Sequence, residues 1–470
     1  MSEITRQTAE QLAEGIRAGR LSSLDVVEAY LARIAVVDPA VEAYVGVLAD
    51  RARTQARRRD ADAREGRWRG PLHGVPVAIK DLIAIAGVPM TAGSTFLGAD
   101  PQRETATVVR RLEDAGAVVL GTTALNEFAL GTTGVNPHGR TARNPWNLER
   151  IAGGSSSGSA AAVAAGLAPA AIGTDTGGSI RIPAALCGIV GLKPTFGRVS
   201  RRGVLPLSES FDTVGPMVRA AGDAALLLEA IAGPDPDDPD CSGAPAGRYR
   251  EEMARDPSGV RVARLAGAFF ESDLDRAVAR AMDDVTRALE RAGMRVRPVH
   301  LRTVEAAHEA QLAVLRSEAA AFHRAAFPGR LGEYNPDVRA IMEEGASIPS
   351  GAVEGARDTL RRFQAEVAGV LTDYPVLLAP AVPVGAARIA DADPYGPLWP
   401  EIRRQVGRFT RLFNAAALPT IALPAGLTAG GLPVAIQLAA AAFEEGRVLA
   451  VARRIEAAIG WDLPELPRSP

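Results

Sequence analysis

The chain has 470 residues, room for about three domains at roughly 150 residues each or for one large α/β enzyme; 47% is apolar and 23% charged, a globular balance that excludes disorder. With 53 basic and 55 acidic residues the formal charge is −2, so neither sign is in excess for a nucleic acid, a polyanion or an anionic membrane, and a neutral or mildly charged small substrate fits better. Two cysteines, Cys187 and Cys241, are too few for a disulfide framework or a four-cysteine zinc site.

Residues 1–20 alternate charged with isolated apolar residues and hold no continuous apolar run of the secretory type, so the cytoplasm is the expected compartment. The first 65 residues read as a helical arm, with Thr8 and Gln11 spaced as a capping box and Val26, Val27, Tyr30, Leu31 and Ile34 on one face. GVPVAI at 74–79 is a short strand that ends on Lys80 and Asp81. Residues 105–116 follow as a helix with Val108, Val109 and Leu112 inward and Gly116 as its stop, then a buried strand at 117–121. Strand, helix, strand predicts parallel pairing.

The Ala-rich stretch 160–173 reads as one buried element, broken by Gly166 and Pro169 and shorter than the ~20 residues that cross a bilayer. The acidic, Pro- and Gly-rich segment 233–247 marks an exposed connection. Beyond it come a strand at 260–265, a long helix at 273–292 and a strand at 294–299, then strands at 376–379, 421–425 and 434–438 and an amphipathic helix at 444–459. An α/β layered core is the expected class.

Two Gly/Ser loops, GGSSSGS at 153–159 and GTDTGGSIR at 173–181, flank the Ala-rich element. A flexible surface linker is the bland reading, but a linker does not usually border a segment that must be packed, whereas a tight loop can aim backbone N–H groups inward. A phosphate-cradling loop fails for want of the G-K-[ST] ending. A nucleophile elbow matches at Gly154, Ser156 and Gly158, yet the preceding NPWNLERIA is not a convincing strand, and its histidine would have to be His300, His308 or His323, none in a suggestive loop. With five histidines in all, a serine nucleophile here points to another base, and lysine is the known substitute. Lys80, at the end of an apolar strand, is the candidate. At its ordinary pKa near 10.4 the neutral form would cost roughly 4 to 5 kcal/mol at pH 7, and burial supplies an effect of that size.

In four ordered blocks the chain resembles the amidase signature family: GVPVAIKDL around Lys80, GGSSSGSAAAVAAG, GTDTGGSIRIPAALCGIVGLKPT, and SFDTVGPM at 210–217. The resemblance implies an α/β/α sandwich with a large mixed sheet between helices, one catalytic domain over 1–470 with its core at 74–217 and a variable, pocket-forming region at 233–411. It implies that Lys80 is the base, Ser155 a bridging serine with a cis peptide and Ser179 the nucleophile, with the N–H groups of Thr176, Gly177, Gly178 and Ser179 as oxyanion hole. Ser179 would attack the carbonyl while its proton passes through Ser155 to Lys80, and water would then hydrolyse the acyl-enzyme. No metal or organic cofactor enters this scheme.

The partners expected are a small amide or carbamate and water, with no nucleic acid and no membrane, and a homodimer left open. Asp175, Arg181 and Asp212 are read as structural and Cys187 as an inert core thiol. The family also holds the A subunit of the glutamyl-tRNA amidotransferase, which works in a complex. That subunit typically carries a YLSD-type stretch where this chain reads GRFTRLFNAAALPTIALP, closer to the stand-alone amidases.

Overall fold

The computed structural model describes residues 3–461 and 463. At the N-terminus the capping box forms: the Thr8 side chain accepts from the Gln11 amide and the Gln11 side chain from the Thr8 amide, starting the helix Ala9–Arg17. Ser22 caps the next helix, Ser23–Val41, whose buried side includes Val26, Val27, Tyr30, Leu31 and Ile34. The first 65 residues are not all helix, however. A strand β1, Tyr44–Val47, precedes the helix Ala49–Arg64 and pairs antiparallel with β3.

The remaining strands are β2 Pro76–Lys80, β3 Val118–Thr123, β4 Arg143–Asn144, β5 Asn147–Ile151, β6 Ala170–Asp175, β7 Val190–Lys193, β8 Thr213–Val218, β9 Arg261–Ala266, β10 Arg295–His300, β11 Val376–Pro380, β12 Thr420–Leu427 and β13 Pro433–Ala440. Eleven of them form one sheet in the order β1-β3-β2-β6-β8-β7-β12-β13-β11-β9-β10, while β4 and β5 make a small ribbon apart. The sheet is mixed. β3, β2 and β6 are mutually parallel, as are β11, β9 and β10, and the strands between them pair antiparallel. Every residue of β2, β3, β6, β8 and β13 is buried, which requires helices on both faces and explains why these strands are apolar runs rather than alternating ones.

Two expectations are refined. The Ala-rich stretch is two elements, the helix Ser157–Ala164 and the strand β6, because Gly166 takes a left-handed conformation (φ 71°) and Pro169 cannot continue a helix. The 233–247 connection is anchored at its start, where buried Asp235 accepts from Thr107 Oγ1 and Ser200 Oγ and buried Asp238 from the Arg201 amide. Exposure resumes at Pro239 and Asp240. Among the described residues no helix is long and apolar enough to cross a membrane.

Candidate active site

β2 and β6 are parallel neighbours in the register Ala78↔Ala171 and Ile79↔Ile172, so their C-terminal residues, Lys80 and Asp175, emerge on the same edge of the sheet. That edge is where open α/β sheets place their sites. Lys80 is fully buried, and its Nζ lies 2.8 Å from Ser155 Oγ and 2.8 Å from Thr174 Oγ1. Desolvation brings its pKa down to about 7 against the opposing fields of Asp175 and Asp212. Both hydroxyls can accept from an ammonium, and either can donate to a neutral amine, so the pair tolerates both protonation states.

The Gly154–Ser155 peptide is cis. The Ser155 carbonyl accepts from the Asn126 amide (3.2 Å), Gly154 donates to Thr132 O (2.8 Å), and the Ser156 amide donates to Ser179 O (3.1 Å). This last bond ties the two Gly/Ser loops together. The loop is packed, not flexible: a Cβ on Gly158 would stand 2.3 Å from Ala43 O and 2.4 Å from Ala124 N. The adjacent serines separate by partner. Ser155 faces Lys80, whereas Ser156 Oγ donates to Thr174 O (3.2 Å) and accepts from Thr174 N (3.3 Å), which spends it on backbone. A strand, β5, does precede this loop, but it belongs to the small ribbon, and His308 and His323 are held neutral by burial at about 3 and about 4. His323 is hydrogen-bonded to Tyr334 Oη (2.8 Å), and neither histidine lines the Ser179 cavity.

Thr176 to Ser179 connect β6 to the helix Arg181–Cys187. Asp175 folds this turn around its carboxylate: Oδ1 accepts from Gly178 N (2.8 Å) and Oδ2 from Ile180 N (3.2 Å). Arg181 clamps the same carboxylate through Nη2 (2.9 Å) and Nε (3.0 Å), and reaches Asn414 Oδ1 (2.6 Å) and Gln437 Oε1 (2.9 Å). Burial raises the Asp175 pKa, but Arg181 and Lys193 overcome it and hold the carboxyl at about 2. Gly178 has φ +126° and a Cβ there would lie 2.1 Å from Thr410 Oγ1, so only glycine fits.

The Gly178 N–H, one of the four expected oxyanion donors, donates to Asp175 Oδ1, unlike those of Thr176, Gly177 and Ser179. The amides of those three donate to no side chain among the described residues.

Ser179 lines a cavity of about 30 Å³ together with Thr132, Thr176, Gly177, Arg316, Arg403 and Arg411. A larger cavity of about 210 Å³, which Thr174 lines, shares Ala129, Thr176 and Leu207 with it. Thr174, Asn414, Gln437 and the three arginines were not legible in the sequence. Thr174 had a signal, a hydroxyl near the end of an apolar strand beside the strand that ends on Lys80. Cys187 is buried with its thiol pushed up by desolvation, and Asp212 accepts from Thr176 Oγ1 (2.5 Å) and from the Leu207 and Ser208 amides. Both are structural in this arrangement.

A mixed eleven-stranded sheet with a buried lysine at the end of one parallel strand, a glycine-serine turn at the end of its neighbour and a second glycine-serine loop packed against both defines an α/β enzyme. The Amidase family model matches residues 25–449, and the chain belongs to that family. The A subunit of the glutamyl-tRNA(Gln) amidotransferase from Anaeromyxobacter sp. (strain K) is 38% identical, over 99% of this chain and 98% of that one. An amidase from Pseudomonas putida is also 38% identical, over 92% of each chain. Among solved structures, the peptide amidase of Stenotrophomonas maltophilia superimposes with a TM-score of 0.84 at 34% identity, covering 98% of this chain and 99% of that one. The chain is an amide-hydrolysing enzyme.

Proposed function

We propose that the chain cleaves carbon–nitrogen amide bonds of a small substrate through an acyl-enzyme on Ser179. The observation that carries this reading is the fully buried Lys80, brought down to about 7 and placed 2.8 Å from Ser155 Oγ. Neutral Lys80 takes the proton that Ser179 passes on through Ser155 as it attacks the carbonyl. The amides of Thr176, Gly177 and Ser179 meet the developing oxyanion, and the relay returns the proton to the leaving amine. Water then attacks the acyl-enzyme by the same route. Esters and carbamates enter the same scheme, because their attack also generates a tetrahedral oxyanion.

A second reading gives the same centre a different setting, as one component of a tRNA-dependent amidotransferase that hydrolyses glutamine and passes ammonia on. The relative from Anaeromyxobacter favours it over nearly the full length. The P. putida amidase and the stretch GRFTRLFNAAALPTIALP favour a stand-alone enzyme. The purified chain, assayed alone against amides, esters, carbamates and glutamine, separates them. Turnover of simple amides without partners supports the stand-alone enzyme; turnover of glutamine only on addition of partner subunits supports the second. A fluorophosphonate label found on Ser156 instead of Ser179, or full activity in Ser179→Ala, would overturn the site assignment itself.

A further inference from the structure

The cavity that holds Ser179 is lined by three arginines, Arg316, Arg403 and Arg411. Arg411 opens the short helix Arg411–Ala415 and is only 8% exposed. Its guanidinium lies against backbone: a Cβ on Gly177 would come 2.7 Å from Nη1, and one on Gly407 2.9 Å from Nη2. It makes no side-chain hydrogen bond or ion pair among the described residues, and Glu309 and Asp175 act on it only as more distant fields. Desolvation, reinforced by repulsion from Arg403 and Arg316, brings its pKa down to about 9.

The other two arginines do not neutralise it. Arg403 stacks on Trp399, 5.0 Å from the ring centroid, and is itself lowered by burial and by Arg316, with Asp337 opposing. Arg316 pairs with half-exposed Glu344 at 3.2 Å, but its Nε is buried without an acceptor among the described residues. A desolvated guanidinium without a counter-ion is unfavourable in a folded protein. Arg411 is such a group, and with two further arginines on the same small cavity it leaves a site whose missing component is an anion. With room for about two waters at ~30 Å³, the cavity accepts one carboxylate-sized group and little more.

We infer that the acyl part of the substrate carries a carboxylate a few bonds from the scissile carbonyl, so that the enzyme acts on short anionic monoamides rather than on neutral acylamides. Planar guanidinium donors match a carboxylate through paired N–H···O bonds, which would fix the acyl chain while its carbonyl meets Ser179. This inference rests on the assignment of Ser179 as the nucleophile.

The test uses full-length Ser179→Ala protein, which cannot turn substrate over, and calorimetric titration with succinamate, malonamate and L-glutamine against the neutral isostere butanediamide. Succinamate or malonamate is expected to bind at least tenfold more tightly than butanediamide. That preference should shrink at least fivefold in Arg411→Leu and, separately, in Arg403→Gln, each added to the same background. Equal binding of the anion and the neutral diamide would overturn the inference, as would an unchanged preference in both arginine variants. The amidase assignment is judged apart from this, by turnover and Ser179 labelling in the wild-type chain: anion binding without turnover would sink that assignment and leave the anion site standing.

Discussion

Lys80 is where burial and hydrogen bonding set the chemistry most sharply. The proposed reaction needs its base form, so activity should rise with pH as the ammonium loses its proton. With the pKa at about 7, the neutral fraction climbs from about 1% at pH 5 to about half at pH 7 and nearly all at pH 9. The expected kcat/KM profile therefore has an ascending limb of unit slope centred near pH 7, well below an ordinary lysine; a limb near pH 10 would remove Lys80 from the base role. Lys193 provides a control, since desolvation brings it to about 7 as well, yet its Nζ donates to Pro194 O at 2.7 Å. Lys193→Met should keep the limb in place, whereas Lys80→Met should cut kcat/KM by about a thousandfold or more. The Asp175–Arg181 pair makes a different demand. Arg181→Met would leave the buried carboxylate short of its main cation, at a cost of about 3 to 5 kcal/mol, and urea denaturation should show a midpoint lowered to match.

At the scale of elements, glycine decides how the serine loops sit. Gly158, in the first turn of the helix Ser157–Ala164, lies against the chain at Ala43 and Ala124, where a methyl group has no room. Gly158→Ala should destabilise the protein by about 1 to 3 kcal/mol and lower activity by displacing Ser155, while Gly243→Ala, with nothing within 4 Å of its new Cβ, should do neither. Thermal melts of the two variants side by side check this. The contrast also shows what the sequence could carry. Buried strands such as β3 and β13 announce themselves as apolar runs that begin at glycine or proline, and Lys80 stands out because it ends another such run, β2. β1 escaped because four residues with a central glycine, YVGV, have too little pattern to separate from the helices around them. The hydrogen bond from the Gly178 amide was not legible for a related reason: which N–H groups of a turn are free depends on where a carboxylate such as Asp175 points, and sequence spacing does not record direction. Arg316, Arg403 and Arg411 were invisible as a group, since each reads as an ordinary surface charge until the fold brings all three to one cavity.

The whole molecule is a sheet of two halves, and the site lies along their seam. The strands β1, β3, β2, β6, β8 and β7 come from residues before the 233–247 connection, and β12, β13, β11, β9 and β10 from residues after it. The halves join through β7 and β12, paired at Thr420↔Lys193, Ile421↔Leu192 and Ala422↔Gly191. Around that ladder the second half grips the Ser179 turn of the first: Gln311 Nε2 donates to Thr176 O (3.0 Å), Thr410 Oγ1 to Gly177 O (2.7 Å), and Asn414 and Gln437 take Arg181. Ser179 and the relay proposed for it thus belong to one half, and the grip on the turn and the cavity arginines to the other. A chain cut in the exposed stretch after Asp240 should hold together, because the seam is a buried ladder with charge-assisted hydrogen bonds and does not depend on that connection. With a protease site inserted at Gly243, the nicked protein should elute from gel filtration as a single species and keep most of its amidase activity. After the two fragments are separated in denaturant, each refolded alone should be inactive, the first lacking the clamp on its turn and the second lacking the serines. Activity should return on mixing. Full activity in the first fragment alone would mean that Asn414, Gln437 and Thr410 do not hold the turn, and that its shape is set by Asp175 and Arg181 without help from across the seam.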